Sequence, residues 1–398
     1  MTVRASPRLV VPALGITQIL AWGSSYYLPA VLAQPIAADT GWPLTWVVGG
    51  LSLGLLVAGL AAPLVGRQIH RHGGRPVLAA SAALLAAGLL GIALAPNLPI
   101  FLLAWLIIGL GMSAGLYDAA FSTLGRLYGA NARQHITTLT LFGGFASTAC
   151  WPLSAFFVSE LGWRGACVAY AAIHLLLTLW VYVLALPKNG VPLAQTATSA
   201  ESPAPVIARH RLLFGLMAAT ITLSAMISTV ISVHLLTVLQ ARDIALAAAV
   251  ALGALVGPSQ VGARFIEMLI ARYHHPVWTK VASVAFVAAG LSLLWGHAPV
   301  ITLALVFYGA GIGLESIARA TVPLSIFGPK DYAPIMGKLA MPSLIAQAAA
   351  PFIGAILIER FDIDTALAII VVAAVANVGL ALALLSLTVG VRRRVPQP

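Results

Sequence analysis

The chain has 398 residues, 60% of them hydrophobic and 8% charged, against roughly 25% charged residues in a soluble domain. No water-soluble core could take up that much apolar side chain, and the formal charge of +11 is no nucleic-acid footprint, because the basic residues fall in loops between apolar runs. Run after run reaches the roughly 20 residues that a helix needs to cross a bilayer. Backbone polar groups in lipid must be satisfied within the segment, so these runs are predicted as helices.

In chain order, clusters of charge, Pro and Gly predict twelve helices near residues 9–33, 44–66, 77–95, 99–122, 136–158, 165–186, 211–236, 246–270, 279–296, 299–325, 336–357 and 365–390. Lys188 to His210, rich in Ala, Pro, Ser and Thr, reads as a solvated linker. The expected organisation is an N-terminal six-helix half (1–187), a cytosolic linker (188–210) and a C-terminal six-helix half (211–398). The first run exceeds the roughly 7–15 residues of a signal-peptide core and is read as a retained helix. Cys150 and Cys167 lie in apolar segments and read as inert buried thiols, with no disulfide framework or metal cluster.

Polar residues inside the helices follow in the same order. Helix 1 carries Gln18, Trp22, Ser25 and Tyr26 on one face, and helix 7 carries Thr220, Ser224, Ser228 and Ser232 at successive i+4 steps. Such stripes either glue helices together or line a solute path. Ionisable groups within a membrane cost about 2.5–3.5 kcal/mol each on insertion scales, so each needs a reason. Asp118 in helix 4 has Tyr117 beside it and no basic residue within a turn. It is an interhelical hydrogen-bonding group or, since desolvation favours a protonated carboxyl, a proton-coupling site.

Arg264 and Glu267 stand toward the cytosolic end of helix 8, with Gln260 one turn earlier, and snorkelling would suffice for them there. In helix 10, Glu315 and Arg319 are spaced i, i+4 with the acid first, which predicts an ion pair on one face. That bridge is either static or opens when a substrate carboxylate takes Arg319. His174 and His234 are single and far apart and read as packed neutral side chains. Laying Gly111–Tyr117 over Gly309–Glu315 matches small residues on helices 4 and 10, which suggests duplicated halves.

Loop charge sets orientation. With a cytosolic N-terminus, the outer loops hold only Arg164, Arg242 and Arg360 among basic residues, beside the acids Asp39, Glu160, Asp243, Glu359, Asp362 and Asp364. The positive-inside rule then places both termini in the cytosol, in a cytoplasmic (inner) membrane.

After helix 2 the chain reads Gly66-Arg-Gln-Ile-His70-Arg71-His-Gly73-Gly-Arg75. Gly73 and Gly74 permit a tight turn, while Arg71 and Arg75 hold the loop in the cytosol and can cap helix ends. With twelve spans and a central linker, this resembles the signature loop of the major facilitator superfamily, over nearly the whole chain. The resemblance implies an all-α integral membrane fold of major-facilitator type, alternating access, a cavity lined by helices 1, 4, 7 and 10, and Gly66, His70, Arg71, Gly73 and Arg75 as a gating loop. His70 stands where the family usually has Asp, and the second-half counterpart near Arg272–His275 is more degenerate. Trp105 stands where proton-coupled drug antiporters of the superfamily carry Arg, and helix 5, with Ala149-Cys-Trp-Pro152, lacks their Gly-Pro pattern. Asp39-Thr-Gly-Trp42 and Gly162-Trp-Arg164 are more similar to bacterial monocarboxylate-transporter-like members.

The expectation is a secondary active transporter of a small organic solute, in the first instance a carboxylate moved with a proton. Gln18, Trp22, Tyr26, Tyr117, Ser224, Ser228, Gln260, Arg264 and Arg319 are the substrate-binding candidates, the arginines because they can grip a carboxylate with two hydrogen bonds. Asp118 and Glu315 are the proton-coupling candidates. Export of a neutral or cationic compound, with either acid as counter-charge, is the alternative. A membrane-embedded enzyme is disfavoured by the lack of H-E-x-x-H, G-x-S-x-G and any His–acid pair at ligand spacing, and a channel by the lack of a filter-like loop. No cofactor, metal or nucleic acid is expected; the partners are the solute, protons and the bilayer, with a monomer as the working unit.

Overall fold

The computed structural model describes residues 7–188, 211–296 and 300–393, so the predicted linker lies almost wholly outside the described residues. Every regular element among the described residues is helical: α1 (Pro7–Gly23), α2 (Pro29–Thr40), α3 (Leu44–His72), α4 (Gly74–Ala93), α5 (Leu98–Gly115), α6 (Tyr117–Tyr128), α7 (Ala132–Gly143), α8 (Ala146–Ile173) and α9 (Leu179–Ala185), then α10 (Arg211–Gln240), α11 (Leu246–Gly253), α12 (Val256–Ile270), α13 (Pro276–Trp295), α14 (Ile301–Phe327), α15 (Tyr332–Arg360) and α16 (Ile363–Arg393). Ten stretches are long and apolar enough to cross a membrane, and Arg8–Gly23 is a shorter apolar helix. One stretch, Ala132–Ala185, has 54 residues, far too many for a single crossing. It is divided at Gly162, whose φ of 68° is a left-handed conformation open to glycine. Ser154 and Tyr170, on either side, meet at 2.7 Å between hydroxyls, so the stretch folds back on itself. With α1–α2, the described chain makes twelve crossings.

Several boundaries differ from expectation for local reasons. The first span is two helices, because Ser24–Leu28 bulge out: the Tyr27 amide reaches back to the Trp22 carbonyl at 3.0 Å, one residue too far for an α-helix, and Pro29 begins α2. The fourth span breaks at Leu116, which is extended (φ −82°, ψ −169°) between α5 and α6. The basic segment after helix 2 is not a loop. α3 runs on through it to His72, and Gly73 alone, at φ 85°, turns the chain into α4. His70, Arg71 and His72 form the last turn of α3, where positive charge suits the helix dipole.

The helices group into two compact units, α1–α9 with the first half of α15, and α10–α14 with the second half of α15 and α16. Each is held by backbone approach at glycine, the packing that lipid-embedded helices favour. In the first unit a Cβ at Gly109 would overlap the Gly54 carbonyl oxygen, and the Trp105 ring fills the surface left bare by Gly50 and Gly54. In the second, Gly309 and Gly313 press α14 against the backbone of Val256 and Gln260 in α12. These contacts also fix the register of the repeat. Gly109 packs on α3 as Gly309 packs on α12, and Gly111 packs on α4 as Gly311 packs on α13. The match read from sequence is therefore displaced by about one half-turn, and Glu315 corresponds to Gly115, not to Tyr117.

The Asp39-Thr-Gly-Trp42 and Gly162-Trp-Arg164 motifs, far apart in sequence, touch. Trp163 Nε1 donates to Asp39 Oδ2 at 2.9 Å, and Arg164 pairs with the same oxygen; in the second unit Arg242 likewise meets Asp364 at 3.0 Å. The indole N–H and then the guanidinium hold the Asp39 carboxyl below the usual carboxylate range. A lowered folded value means the clasp is intact above the ordinary carboxyl pKa of about 3.9 and is lost as pH falls through the lowered one. Fluorine NMR of fluorotryptophan at position 163 should thus stay constant from neutral pH to about 4 and shift only below it. In Asp39→Asn that acid step should vanish.

Candidate functional site

In the first unit the structure brings Gln18, Trp22, Tyr26 and Tyr117 together. Leu116 interrupts the helix, freeing carbonyls at the end of α5, and Gln18 Nε2 donates to that of Gly115 at 2.6 Å. The Trp22 ring lies 5.2 Å from Tyr26 and 5.1 Å from Tyr117, and Tyr117 stacks on Phe121 at 4.9 Å. Asp118 follows in the first turn of α6, a favourable place for an acid. Ser25 binds its own helix at the Ala21 carbonyl, and His174 meets the Ser24 hydroxyl at 2.7 Å. Cys150 and Cys167 are free and buried.

The second unit holds a tighter polar cluster. Lys280, 2% exposed in α13, sets Nζ 2.6 Å from both carboxylate oxygens of Glu315 in α14. Nζ also donates to Ser224 Oγ at 3.1 Å and to the Thr220 carbonyl at 3.4 Å, both in α10. Ser283, one turn after Lys280, places its hydroxyl 3.0 Å from Glu315 Oε2. From α16, Asn377 Nδ2 donates to Ser224 Oγ at 2.8 Å, while its Oδ1 accepts from Thr220. Beside Glu315 lies a cavity of about 30 Å³ whose polar wall is Ser224, Ser228, Ser283, Glu315 and Asn377.

Glu315 therefore takes its cation from another helix, rather than from Arg319 one turn along its own. Lys280 and Asn377 are the residues that sequence reading missed. The signal for Lys280 was His275-Pro276: Pro favours the first helical position, and α13 does start there, which carries Lys280 one turn inside the helix. Thr220, Ser224 and Ser228 turn toward this cluster, but Ser232 is exposed, because each i+4 step overshoots a turn by about 40° and three steps leave the face.

The remaining candidates lie elsewhere. Arg264 is 5% exposed, buried rather than snorkelling, with Nε on the Gly313 carbonyl (3.3 Å) and a terminal nitrogen on Gln260 Oε1 (3.2 Å). Glu267 accepts from Thr279 at 2.8 Å and sits 3.4 Å from His274; His234 reaches the Pro351 carbonyl at 3.3 Å. At the other basic segment Gly66 is buried against the Ala333 carbonyl and the His70 carbonyl accepts from Arg126. Arg75 lines a small groove with Gly73 and Arg126, and Arg71 is exposed.

A family model described as Major Facilitator Superfamily matches residues 14–333. No curated protein matches the chain in sequence. Among solved structures, the human organic anion transporter MFSD10 (TETRAN) superposes with a TM-score of 0.72 at 17% identity, covering 94% of this chain and 99% of that one. The proton:xylose symporter XylE, bound to 6-bromo-6-deoxy-D-glucose, gives 0.69 at 15% identity over 94% of each chain. The E. coli fucose:proton symporter FucP gives 0.70 at 14% over 94% and 98%. At such identities the likeness is one of fold. The twelve crossings, the glycine-packed helices and a family match over most of the length agree: the chain is an integral membrane protein that belongs to the Major Facilitator Superfamily.

Proposed function

We propose that the protein is a secondary active transporter that moves a small organic carboxylate together with a proton by alternating access. The observation that carries this reading is the ion pair of buried Lys280 with Glu315, whose carboxylate lines a cavity with hydroxyls and an amide as its other polar groups. A carboxylate there can be neutralised by one proton, and its neutralisation changes what the neighbouring ammonium can bind. The carboxylate reading draws on the cations that α12–α14 carry, Arg264, Lys280 and Arg319, whose N–H groups can hydrogen-bond a carboxylate. In the first unit Gln18, Trp22, Tyr26 and Tyr117 are proposed as solute contacts, Asp118 as a second proton site and the Gly66–Arg75 segment as a gate; in the second unit Ser224, Ser228, Gln260, Arg264 and Arg319 are proposed as solute contacts. Proton symport in XylE and FucP and organic anion transport in MFSD10 are in keeping with this reading.

Labelled monocarboxylates, a sugar and an organic cation, offered to proteoliposomes with and without an inward proton gradient, test it. Carboxylate should accumulate up to about tenfold per pH unit of gradient at one proton per anion, and the others should not. Gradient-driven movement of the cation instead would favour the alternative. The proposed topology, with both termini cytosolic in the cytoplasmic membrane, requires Gly73→Cys to label only from the cytosol and Asp362→Cys only from outside. The reverse pattern would overturn it.

A further inference from the structure

Lys280 is surrounded by acceptors: two carboxylate oxygens, a hydroxyl and a backbone carbonyl. Among the described residues the other charge that acts on it, Arg319, has the same sign, and Thr220, Ser224, Ser283 and Asn377 are neutral. A buried ammonium so placed requires one negative charge beside it at every stage of a cycle, because an unpaired ion there is costly. Glu315 is that charge now. The adjoining cavity of about 30 Å³ has room for about two waters, each needing roughly 10–15 Å³. Two waters occupy the space of the two oxygens of a carboxylate and not that of a whole solute.

Resting on the reading of proton-coupled carboxylate transport, we infer that Lys280 is a shared counter-ion, for which Glu315 and the carboxylate of the solute compete. When Glu315 takes a proton, an O–H bond forms on its carboxyl and its hold on Nζ weakens. The solute carboxylate then enters the cavity and accepts the Lys280 N–H bonds, with Ser224, Ser228 and Asn377 at hand as further polar contacts. One anion and one proton enter, no covalent bond to the solute forms, and the net charge of the site is unchanged. Coupling is therefore one to one and electrically silent, and neither partner binds well without the other.

The test is thermal unfolding of the purified protein between pH 5.5 and 8 with acetate, propionate, butyrate and benzoate, each against its amide. Carboxylates should stabilise the protein and amides should not, and the apparent Kd should rise about tenfold per pH unit in the upper part of the range. Glu315→Gln should bind carboxylates without that slope. Lys280→Gln with Glu315→Gln, neutral and nearly isosteric, should fold and bind none, and it carries the decision if the single variant does not fold. Carboxylate binding by the double variant, or an unchanged pH slope in Glu315→Gln, would overturn the shared counter-ion while leaving carboxylate transport standing. So would uptake of a bound carboxylate in vesicles that responds to an imposed membrane potential. A wild-type protein that neither binds nor carries any of the four would overturn the transport reading and this inference together.

Discussion

Replacing Lys280 or Glu315 alone with Gln should cost several kcal/mol of stability, and replacing both should restore most of it. Breaking a buried pair leaves one charge without compensation, an effect of about 3–5 kcal/mol, whereas removing both partners is often close to neutral. Thermal unfolding of the three purified variants from pH 5 to 9 measures this. A double variant no more stable than the worse single one would show that the pair is not what these side chains are buried for.

The packing contact at Gly313 should be equally unforgiving. A Cβ there would overlap the Gln260 carbonyl oxygen, which belongs to the α12 backbone and cannot swing aside. Gly313→Ala must therefore push α12 and α14 apart, at a cost of about 1–3 kcal/mol or more. It should also lower transport, because the Gly313 carbonyl receives Arg264 Nε and Glu315 lies two residues farther along α14. Gly262→Ala, in α12 itself, is the control. Nothing lies within 4 Å of a Cβ at that position, and losing a glycine from a helix stabilises by up to about 1 kcal/mol. Opposite signs of the shift in unfolding temperature are expected. Equal, small effects would mean that the α12–α14 approach is looser than its geometry implies.

The membrane class, the number of crossings and the family were legible in the sequence because they rest on local or additive properties: apolar runs of bilayer length, charge counted loop by loop, and a short glycine- and arginine-bearing segment. Helix breaks were half legible. Pro29 and Gly162 are chemical signals, but the extended residue at Leu116 carries none, and Gly66–His72 looked like a loop only because it is charged. The partner of Glu315 was beyond local reading. The i+4 spacing named Arg319, whereas Lys280 reaches the carboxylate from another helix. Arg264 and Glu267 likewise proved buried, by contacts from Gly313 and Thr279 that no periodicity announces.

The physical reason lies in the solvent. In water a helix shows which face it buries, because the other face is polar; in lipid both faces are apolar, and association rests on close packing and interhelical hydrogen bonds. Leu176 is 76% exposed and Leu89 fully buried, yet as residues in a hydropathy plot they are identical. Sequence alone thus determined that this chain crosses the membrane and how often. Only the tertiary structure decided which polar side chains meet, because glycine contacts such as those at Gly109 and Gly313 set the rotation of each helix.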